Sequence, residues 1–131
     1  MKYILMMNGR KADFDAYAHW SKDDLQANVT FMRAFSKELK DAGVFIASEG
    51  LGWPGEARLV RAGNNGKPIT DGVFPESKEF LAGYWIIDVE NPDQAYAIAA
   101  RLSLAPGAGQ RPGNMPVEVR QVLSSHSDLG L

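Results

Sequence analysis

The chain has 131 residues, with 14 basic and 16 acidic side chains and no cysteine. This length suits one domain with an ordinary core, and the net charge of −2 argues against a nucleic-acid-binding protein, which is normally basic. The lack of cysteine excludes disulfides, thiolate nucleophiles and cysteine-based metal sites, and it fits the cytoplasm, where we expect the protein. No apolar run approaches the about 18 residues of a membrane span, so we expect no membrane association.

The chain is predicted to begin with a strand. Residues 3–7 form a continuous apolar run without helical period, which indicates a strand buried on both faces near the middle of a sheet. Asn8 and Gly9 end this strand. The next segment, residues 10–20, fits a short helix and an ordered loop equally well.

The clearest predicted element is a helix over residues 22–42. Ser21 and Asp24 have the spacing of a capping box at its start. Gly43 supplies the left-handed residue that commonly ends a helix, and Val44 is placed to contact the last turn. Apolar side chains at helical spacing form one stripe that faces a core: Leu25, Val29, Met32, Phe35 and Leu39.

The middle of the chain predicts a strand, a loop and a hairpin. Residues 44–47 are apolar, with β-branched and aromatic side chains that favour a strand, and the glycines and proline of 48–55 predict a loop. Asn65-Gly66 separates two short extended runs, which is typical of a β-hairpin. A turn is predicted at 71–75 and a polar bridge at 76–79.

The last part of the chain repeats the pattern of strand, helix and strand. Residues 82–89 predict a central strand, and Asn91–Gln94 provides the N-cap, N1 and N3 residues of a second helix. Residues 104–116 predict a loop and 117–122 a final strand. The buried stripe of the second helix is predicted to be Ala95, Ile98, Ala99 and Leu102.

Without the hairpin, the order of elements is β-α-β-β-α-β, the ferredoxin-like split arrangement. The predicted fold is α+β: an antiparallel sheet with an inserted β-hairpin and two helices on one face. The other face is expected to expose Tyr3, Tyr84, Ile86 and Val119, and an apolar face of this kind usually finds a partner chain. We therefore expect a homodimer packed sheet to sheet, with the domain spanning 1–123 and a frayed C-terminal tail at 124–131.

Several segments resemble, in order along nearly the whole chain, the YCII-related family, in the branch named for an Asp-Gly-Pro-Phe (DGPF) motif. They are Met1–Met6, Lys37–Val44, Glu49–Leu51, Thr70–Glu79, Gly83-Tyr84 and Pro116–Arg120. The resemblance implies a ferredoxin-like fold and dimers of the α/β-barrel type. It implies little about chemistry. Members of this branch sometimes accompany extracytoplasmic-function sigma factors, which suggests a regulatory setting.

The chain departs from the family pattern at two positions. Val73 stands where the motif has proline, which makes the turn after Gly72 less rigid. Met32 stands where related proteins carry a helix histidine proposed as catalytic, whereas the aspartate that accompanies it matches Asp41. Methionine cannot exchange a proton, so the resemblance implies that an activity dependent on that histidine has been lost.

The candidate catalytic residues are Asp71, Glu49 and His19. The two carboxylates are predicted to approach each other at one end of the sheet, where one pKa would rise and the pair could act as acid and base. The alternative is structural, with Asp71 capping its own turn and Glu49 pairing with Arg58. His19 would be a natural general base, or else a packing residue beside Trp20.

The candidate ligand-binding residues belong to the loop and motif region: Trp53, Arg58, Phe74, Glu76 and Lys78. Trp53 lies between Gly52 and Pro54 and is a candidate for a pocket or a dimer interface, whereas Trp85 is expected in the core. No helix follows the Gly-x-Gly-x-x-Gly pattern at 50–55, so we expect no dinucleotide site. No metal site and no cofactor are predicted, since two distant histidines without cysteine do not make a zinc site.

The sequence leaves three functions open. The leading hypothesis is a homodimer that binds a small organic ligand in a cleft near Glu49, Asp71 and Trp53. One alternative is a cofactor-free acid/base enzyme, lyase-like or hydrolytic, that uses Asp71 or Glu49. The other is a regulatory protein-interaction module.

Overall fold

The main sheet has the strand order of a ferredoxin-like fold. The structure is a computed structural model that describes residues 1–72 and 79–131. Within these residues the main sheet consists of β1 Lys2–Gly9, β2 Phe45–Gly50, β5 Phe80–Asp88 and β6 Val117–Gln121. These strands pair antiparallel in the order β2-β5-β1-β6. The inserted hairpin consists of β3 Arg58–Ala62 and β4 Pro68–Gly72. The predicted α+β class and ferredoxin-like arrangement are confirmed.

Two helices, α2 (Lys22–Asp41) and α3 (Pro92–Ser103), cover one face of this sheet. The core between the two layers contains Tyr3, Leu5, Phe35, Leu39, Trp85, Ile87, Val89, Ala95, Ile98, Ala99 and Leu102. Trp85 is 5% exposed, and its ring meets Phe35 edge to face at 5.5 Å. Its Nε1–H donates to Ser36 Oγ at 3.1 Å, so the polar atom of this buried indole has a partner. The expected core position of Trp85 is confirmed.

The open face of the sheet differs in membership from the predicted one. Tyr3 pairs with Ile87 and Leu5 pairs with Val119, and all four side chains pack on the helix side. The placement of Tyr3 and Val119 on the open face is therefore wrong. The reason is the two-residue period of a strand: Leu5 is fully buried, which puts the odd-numbered side chains of β1 under the helices. The open face carries the partly exposed side chains Ile4, Met6, Tyr84 and Ile86.

Both ends of α2 are capped, but only the Ser21 half of the predicted capping box is present, since Asp24 Oδ2 accepts from the Gly109 N–H at 2.9 Å. Ser21 Oγ accepts a hydrogen bond from the Asp24 backbone N–H at 3.1 Å. At the other end Gly43 has a φ of +74°, and the N–H groups of Gly43 and Val44 donate to carbonyls of the last helical turn. This pair of bonds is the Schellman arrangement, which a left-handed residue makes possible.

The predicted buried stripe is confirmed in α3 but only in the C-terminal half of α2, where Met32 packs partly buried against the core; Leu25 is only partly buried. Phe35 and Leu39 are buried in α2, but Val29 is 37% exposed. Phe31 instead packs against the core and stacks on Phe35 with centroids 6.1 Å apart, so the buried side of α2 is rotated toward Phe31. In α3 the predicted stripe of Ala95, Ile98, Ala99 and Leu102 is buried throughout.

Residues 10–20, for which the sequence left two structures open, contain a short helix, α1 (Lys11–Tyr17). The Arg10 backbone N–H donates to Asp13 Oδ2 at 2.9 Å at the start of this helix. This bond stabilises the carboxylate and lowers the pKa of Asp13 below its usual value. The helix ends before His19, whose N–H donates to the Ala16 carbonyl at 3.0 Å.

Two loop predictions need correction. Asp71 was expected in a turn but lies in β4 opposite Leu59, because the hairpin pairing continues to Gly72. The tail was expected to fray, but it forms a 3₁₀ turn at His126–Leu129, in which Asp128 Oδ2 accepts from two backbone N–H groups. The rest of the predicted turn and most of the polar bridge, residues 73–78, lie outside the described residues.

Candidate functional site

An aromatic cluster forms at the end of the sheet where β1 and β5 meet α1. Phe14 of α1 contacts Trp53, in the loop after β2, with ring centroids 6.3 Å apart, and Phe80, the first residue of β5, at 6.4 Å; both contacts are edge to face. Tyr17 lies 5.8 Å from Trp53 and 4.9 Å from Trp20. These separations are within the favourable range for aromatic pairs. The five rings therefore hold one another in place, and we refer to them as the aromatic cluster.

Gly9 gives the cluster its contact with the sheet. It pairs with Phe80 across the β1–β5 ladder, and a β-carbon built on Gly9 would stand 2.9 Å from Phe14 Cε2. Ordinary carbon contacts are about 3.5–4.0 Å, so any side chain at this position would push the ring away. The missing side chain of Gly9 therefore allows the Phe14 ring to rest directly on the backbone of β1.

A groove of about 420 Å³ lies beside Trp53. It is lined by Leu51, Gly52, Trp53, Pro54, Glu56, Ala57, Phe80 and Leu81, which makes its walls apolar apart from the carboxylate of Glu56. Trp53 itself is 44% exposed. Small-molecule sites occupy about 300–1,000 Å³ and combine apolar walls with a few polar groups. The groove therefore has the size and lining of a site for a small organic molecule.

A short 3₁₀ turn at Pro54–Glu56 fixes the geometry of the groove wall. The Glu56 N–H donates to the Trp53 carbonyl at 3.0 Å. Arg58 Nη1 donates to the carbonyls of Gly55 at 3.1 Å and Ala57 at 2.8 Å. Arg58, predicted to bind ligand, thus braces the turn through backbone carbonyls, and within the described residues it forms no ion pair with Glu49.

The two candidate catalytic carboxylates lie on different sheets. Glu49 is exposed on β2, opposite Tyr84. Asp71 is in the hairpin, where its Oδ2 lies 3.9 Å from Arg61 Nε and both side chains are largely exposed. Among residues 1–72 and 79–131, no hydrogen bond or ion pair joins Glu49 to Asp71. Glu49 and Asp71 thus belong to separate sheets, and their action as an acid–base pair stays a prediction.

The structure describes only some of the other predicted site residues. His19 is exposed after α1, and Phe74, Glu76 and Lys78 lie outside the described residues. At the positions that the family resemblance singled out, Met32 packs against the core. Asp41 accepts a hydrogen bond from Lys37 Nζ at 2.6 Å, and this raises the pKa of that lysine.

Sequence reasoning identified Trp53 but missed the rest of the groove and its support. Phe14, Phe80 and Glu56 were not singled out. A partial signal was present, because Phe14, Tyr17 and Trp20 recur every three residues, the spacing that puts side chains on one side of a helix. A glycine at the end of a strand also signals a close backbone approach, and Gly9 has this role.

In the described ranges, no group of three or more histidine, aspartate or glutamate side chains could hold a metal ion. In those same ranges, no helix is long and apolar enough to cross a membrane.

The fold and site define an α+β domain of the ferredoxin-like class with a ligand-sized groove at one end of its sheet. The sequence model of the YCII-related domain matches residues 1–110, and the chain belongs to this family. No curated protein matches the chain. The groove beside Trp53 lies within the matched residues. A second concavity of about 440 Å³, formed by tail residues between Leu123 and Leu129, lies beyond them.

Proposed function

We propose that the protein is a homodimer in which each subunit binds a small organic molecule in the groove beside Trp53. The observation that supports binding is the half-exposed indole of Trp53 in a groove of ligand size. Apolar surface removed from water stabilises a complex by about 25 cal/mol per Å² before the costs of association. A ligand that covers Trp53 and the adjoining wall therefore has a favourable source of binding free energy.

The residues of the site have separate roles in this proposal. Trp53 supplies a flat contact surface, and Phe80 and Leu51 supply further apolar lining. Phe14 and Arg58 are positioning residues, because Phe14 holds the Trp53 ring and Arg58 holds the turn that follows it. Two members of the predicted ligand-binding set, Trp53 and Arg58, thus belong to one structural unit.

A thermal-shift screen of small aromatic and aliphatic metabolites tests the binding proposal. A ligand at 100 times its Kd stabilises the protein by about 2.7 kcal/mol, which raises the melting temperature by roughly ten degrees at this chain length. Hits should be lost in Trp53→Ala and retained in Tyr96→Ala, a control that removes an aromatic side chain 55% exposed on α3. Hits that survive equally in both variants would contradict the proposal.

The open face of the main sheet supports the dimer. Its centre is apolar, with Ile4, Met6, Tyr84 and Ile86. Charges of both signs surround it on the same strands: Lys2, Glu49, Asp88, Glu118 and Arg120. A two-fold dimer interface brings the same patch together from both subunits. A patch with an apolar centre and mixed charges at its rim can match itself in this way.

Light scattering coupled to size-exclusion chromatography tests the dimer. The wild-type protein should have twice the chain mass at micromolar concentration. Ile86→Lys should be a folded monomer, because it places a charge in the apolar centre of the interface. Val60→Lys, on the hairpin, where Val60 is 62% exposed, should remain dimeric. A monomeric wild type, or equal effects of the two lysines, would contradict this part of the proposal.

A further inference from the structure

The exposed residue Glu56 contributes a carboxylate to the lining of the groove. Its Oε2 atom lies 3.4 Å from the position that a β-carbon would have on Gly52, and both residues line the groove. The backbone bond from Glu56 to the Trp53 carbonyl keeps the charged residue and the indole on the same turn. A negative charge therefore lies next to the flat apolar surface on which a ligand would rest.

Glu56 has no cationic side chain as a partner in the part of the chain that the structure describes. None of the ion pairs within residues 1–72 and 79–131 includes it. Arg58 is two residues away in sequence, but its Nη1 donates to the carbonyls of Gly55 and Ala57. A carboxylate beside an apolar wall forms strong, charge-assisted hydrogen bonds with a cationic donor.

The indole of Trp53 favours a cationic ligand, as the Glu56 carboxylate does. Tryptophan presents the best side-chain surface for a cation–π contact, and Trp53 is exposed in the groove. Its ring is held by Phe14 at 6.3 Å and Tyr17 at 5.8 Å, so little side-chain entropy is lost when a ligand covers it. Indole and carboxylate together favour a positively charged group attached to an apolar body.

We propose that the groove selects small organic cations, that is, molecules with an aromatic or aliphatic body and a protonated amino group that binds Glu56. This inference rests on the proposed ligand-binding function of the groove and specifies the chemical class of the ligand. The body of the ligand covers Trp53 and Phe80, and the ammonium group donates hydrogen bonds to the Glu56 carboxylate. An anion of the same size is repelled by that carboxylate.

Three probes with a common phenyl body test the charge preference: 2-phenylethylamine, 2-phenylethanol and 3-phenylpropanoate. Their affinities for the wild-type chain are measured by calorimetry at low and high salt. The amine should bind about tenfold more tightly than the alcohol, the gain expected of one charge-assisted hydrogen bond at a partly exposed site. The propanoate should bind more weakly than the alcohol. Added salt should reduce both the advantage of the amine and the disadvantage of the propanoate, and it should leave the affinity of the alcohol nearly unchanged.

Two glutamate variants test whether Glu56 causes the preference for the amine. Glu56→Gln should remove most of the preference for the amine, leaving only the smaller part that the cation–π contact with Trp53 supplies, and should leave the affinity of the alcohol unchanged. Glu90→Gln is the matched control, because Glu90 is exposed beside the start of α3 and does not line the groove; it should keep the tenfold preference. A tenfold preference that is undiminished in Glu56→Gln would overturn the assignment.

The failures of the two proposals are distinguishable. Equal binding of the amine and the alcohol, lost in both cases in Trp53→Ala, would overturn the cation preference and leave a charge-neutral ligand site at the groove. Binding of none of the three probes would overturn the cation preference as well. In that case the metabolite screen with Trp53→Ala decides independently whether the groove binds any ligand.

Discussion

Substitution of Gly9 by alanine tests how the fold builds the aromatic cluster. A β-carbon at this position would stand 2.9 Å from Phe14 Cε2 and 3.4 Å from two further atoms of the ring. The ring must then retreat by about 0.6–1 Å to reach an ordinary carbon contact. Because Phe14 packs edge to face on Trp53 and Phe80, its movement disturbs the groove wall.

The size of the effect follows from two opposing contributions. Overpacking of a well-packed site costs about 1–3 kcal/mol, whereas replacing glycine by alanine within a strand stabilises by about 0.5–1 kcal/mol. We therefore expect Gly9→Ala to lower the free energy of unfolding by about 0.5–2 kcal/mol, or to lower the melting temperature by about 2–8 °C. Tryptophan fluorescence should also change, because the surroundings of Trp53 change.

Urea unfolding and tryptophan fluorescence are the assays, with Gly50→Ala as the matched control. Gly50 is also in a strand, but a β-carbon there has no neighbour within 4 Å, so its replacement should be neutral or stabilising. Phe14→Leu should offset part of the cost of Gly9→Ala in the double variant, which would give a measurable coupling energy. If Gly9→Ala is as stable as Gly50→Ala and its fluorescence is unchanged, the inferred contact between Gly9 and Phe14 is refuted.

Three further substitutions test the core, a cap and a titrating group. Trp85→Phe leaves the Ser36 hydroxyl without its partner and should cost about 1–3 kcal/mol in urea unfolding; an unchanged midpoint would contradict the hydrogen bond. Gly43→Ala places a β-carbon at a φ of +74° and should cost about 1–2 kcal/mol by the same assay, whereas a gain would contradict the left-handed cap. The folded-state pKa of Asp13 is lowered by the Arg10 N–H, so its stabilising effect is complete above the unfolded pKa of about 3.9 and is lost as pH falls through the folded value. The melting temperature of the wild type should therefore fall more steeply below about pH 4 than that of Asp13→Asn, and parallel curves would contradict the bond.

Much of the fold follows from signals that are local in sequence. Ser21 and Gly43 mark the two ends of α2 because each satisfies backbone groups that the helix leaves without partners. Asn91 has the same role in α3, where its Oδ1 accepts from the Gln94 N–H at 2.9 Å. Once the ends of the long helix and the positions of the apolar strands are known, the β-α-β-β-α-β order allows few sheet topologies.

The error on the open face shows what local signals cannot decide. Residues 3–7 are apolar throughout, so the pattern of β1 does not reveal which alternate side chains face the helices. The choice depends on pairing with β5, where Tyr3 lies opposite the fully buried Ile87. Pairing between strands so far apart in the chain is a tertiary property, and a one-residue shift exchanges the two faces.

The site was predictable only in part for the same reason. Trp53 stood out because a tryptophan between glycine and proline is poorly suited to a sheet interior. Its contact with Phe14 depends on how α1 packs against the end of the sheet. The spacing of residues in the sequence does not specify this packing. The expected meeting of Glu49 and Asp71 placed Asp71 in a turn at the end of the sheet, whereas Asp71 lies in β4 of the separate hairpin sheet.

Fluorine NMR of protein labelled with 5-fluorotryptophan tests the central claim most directly. The chain has three tryptophans: Trp53 lines the groove, Trp85 lies in the core, and Trp20 contacts Tyr17. On titration with 2-phenylethylamine or 2-phenylethanol, the Trp53 resonance should move and saturate while the Trp85 resonance stays in place. A Trp53 resonance that does not move with either probe or with any hit of the metabolite screen would contradict the claim that this groove is the binding site.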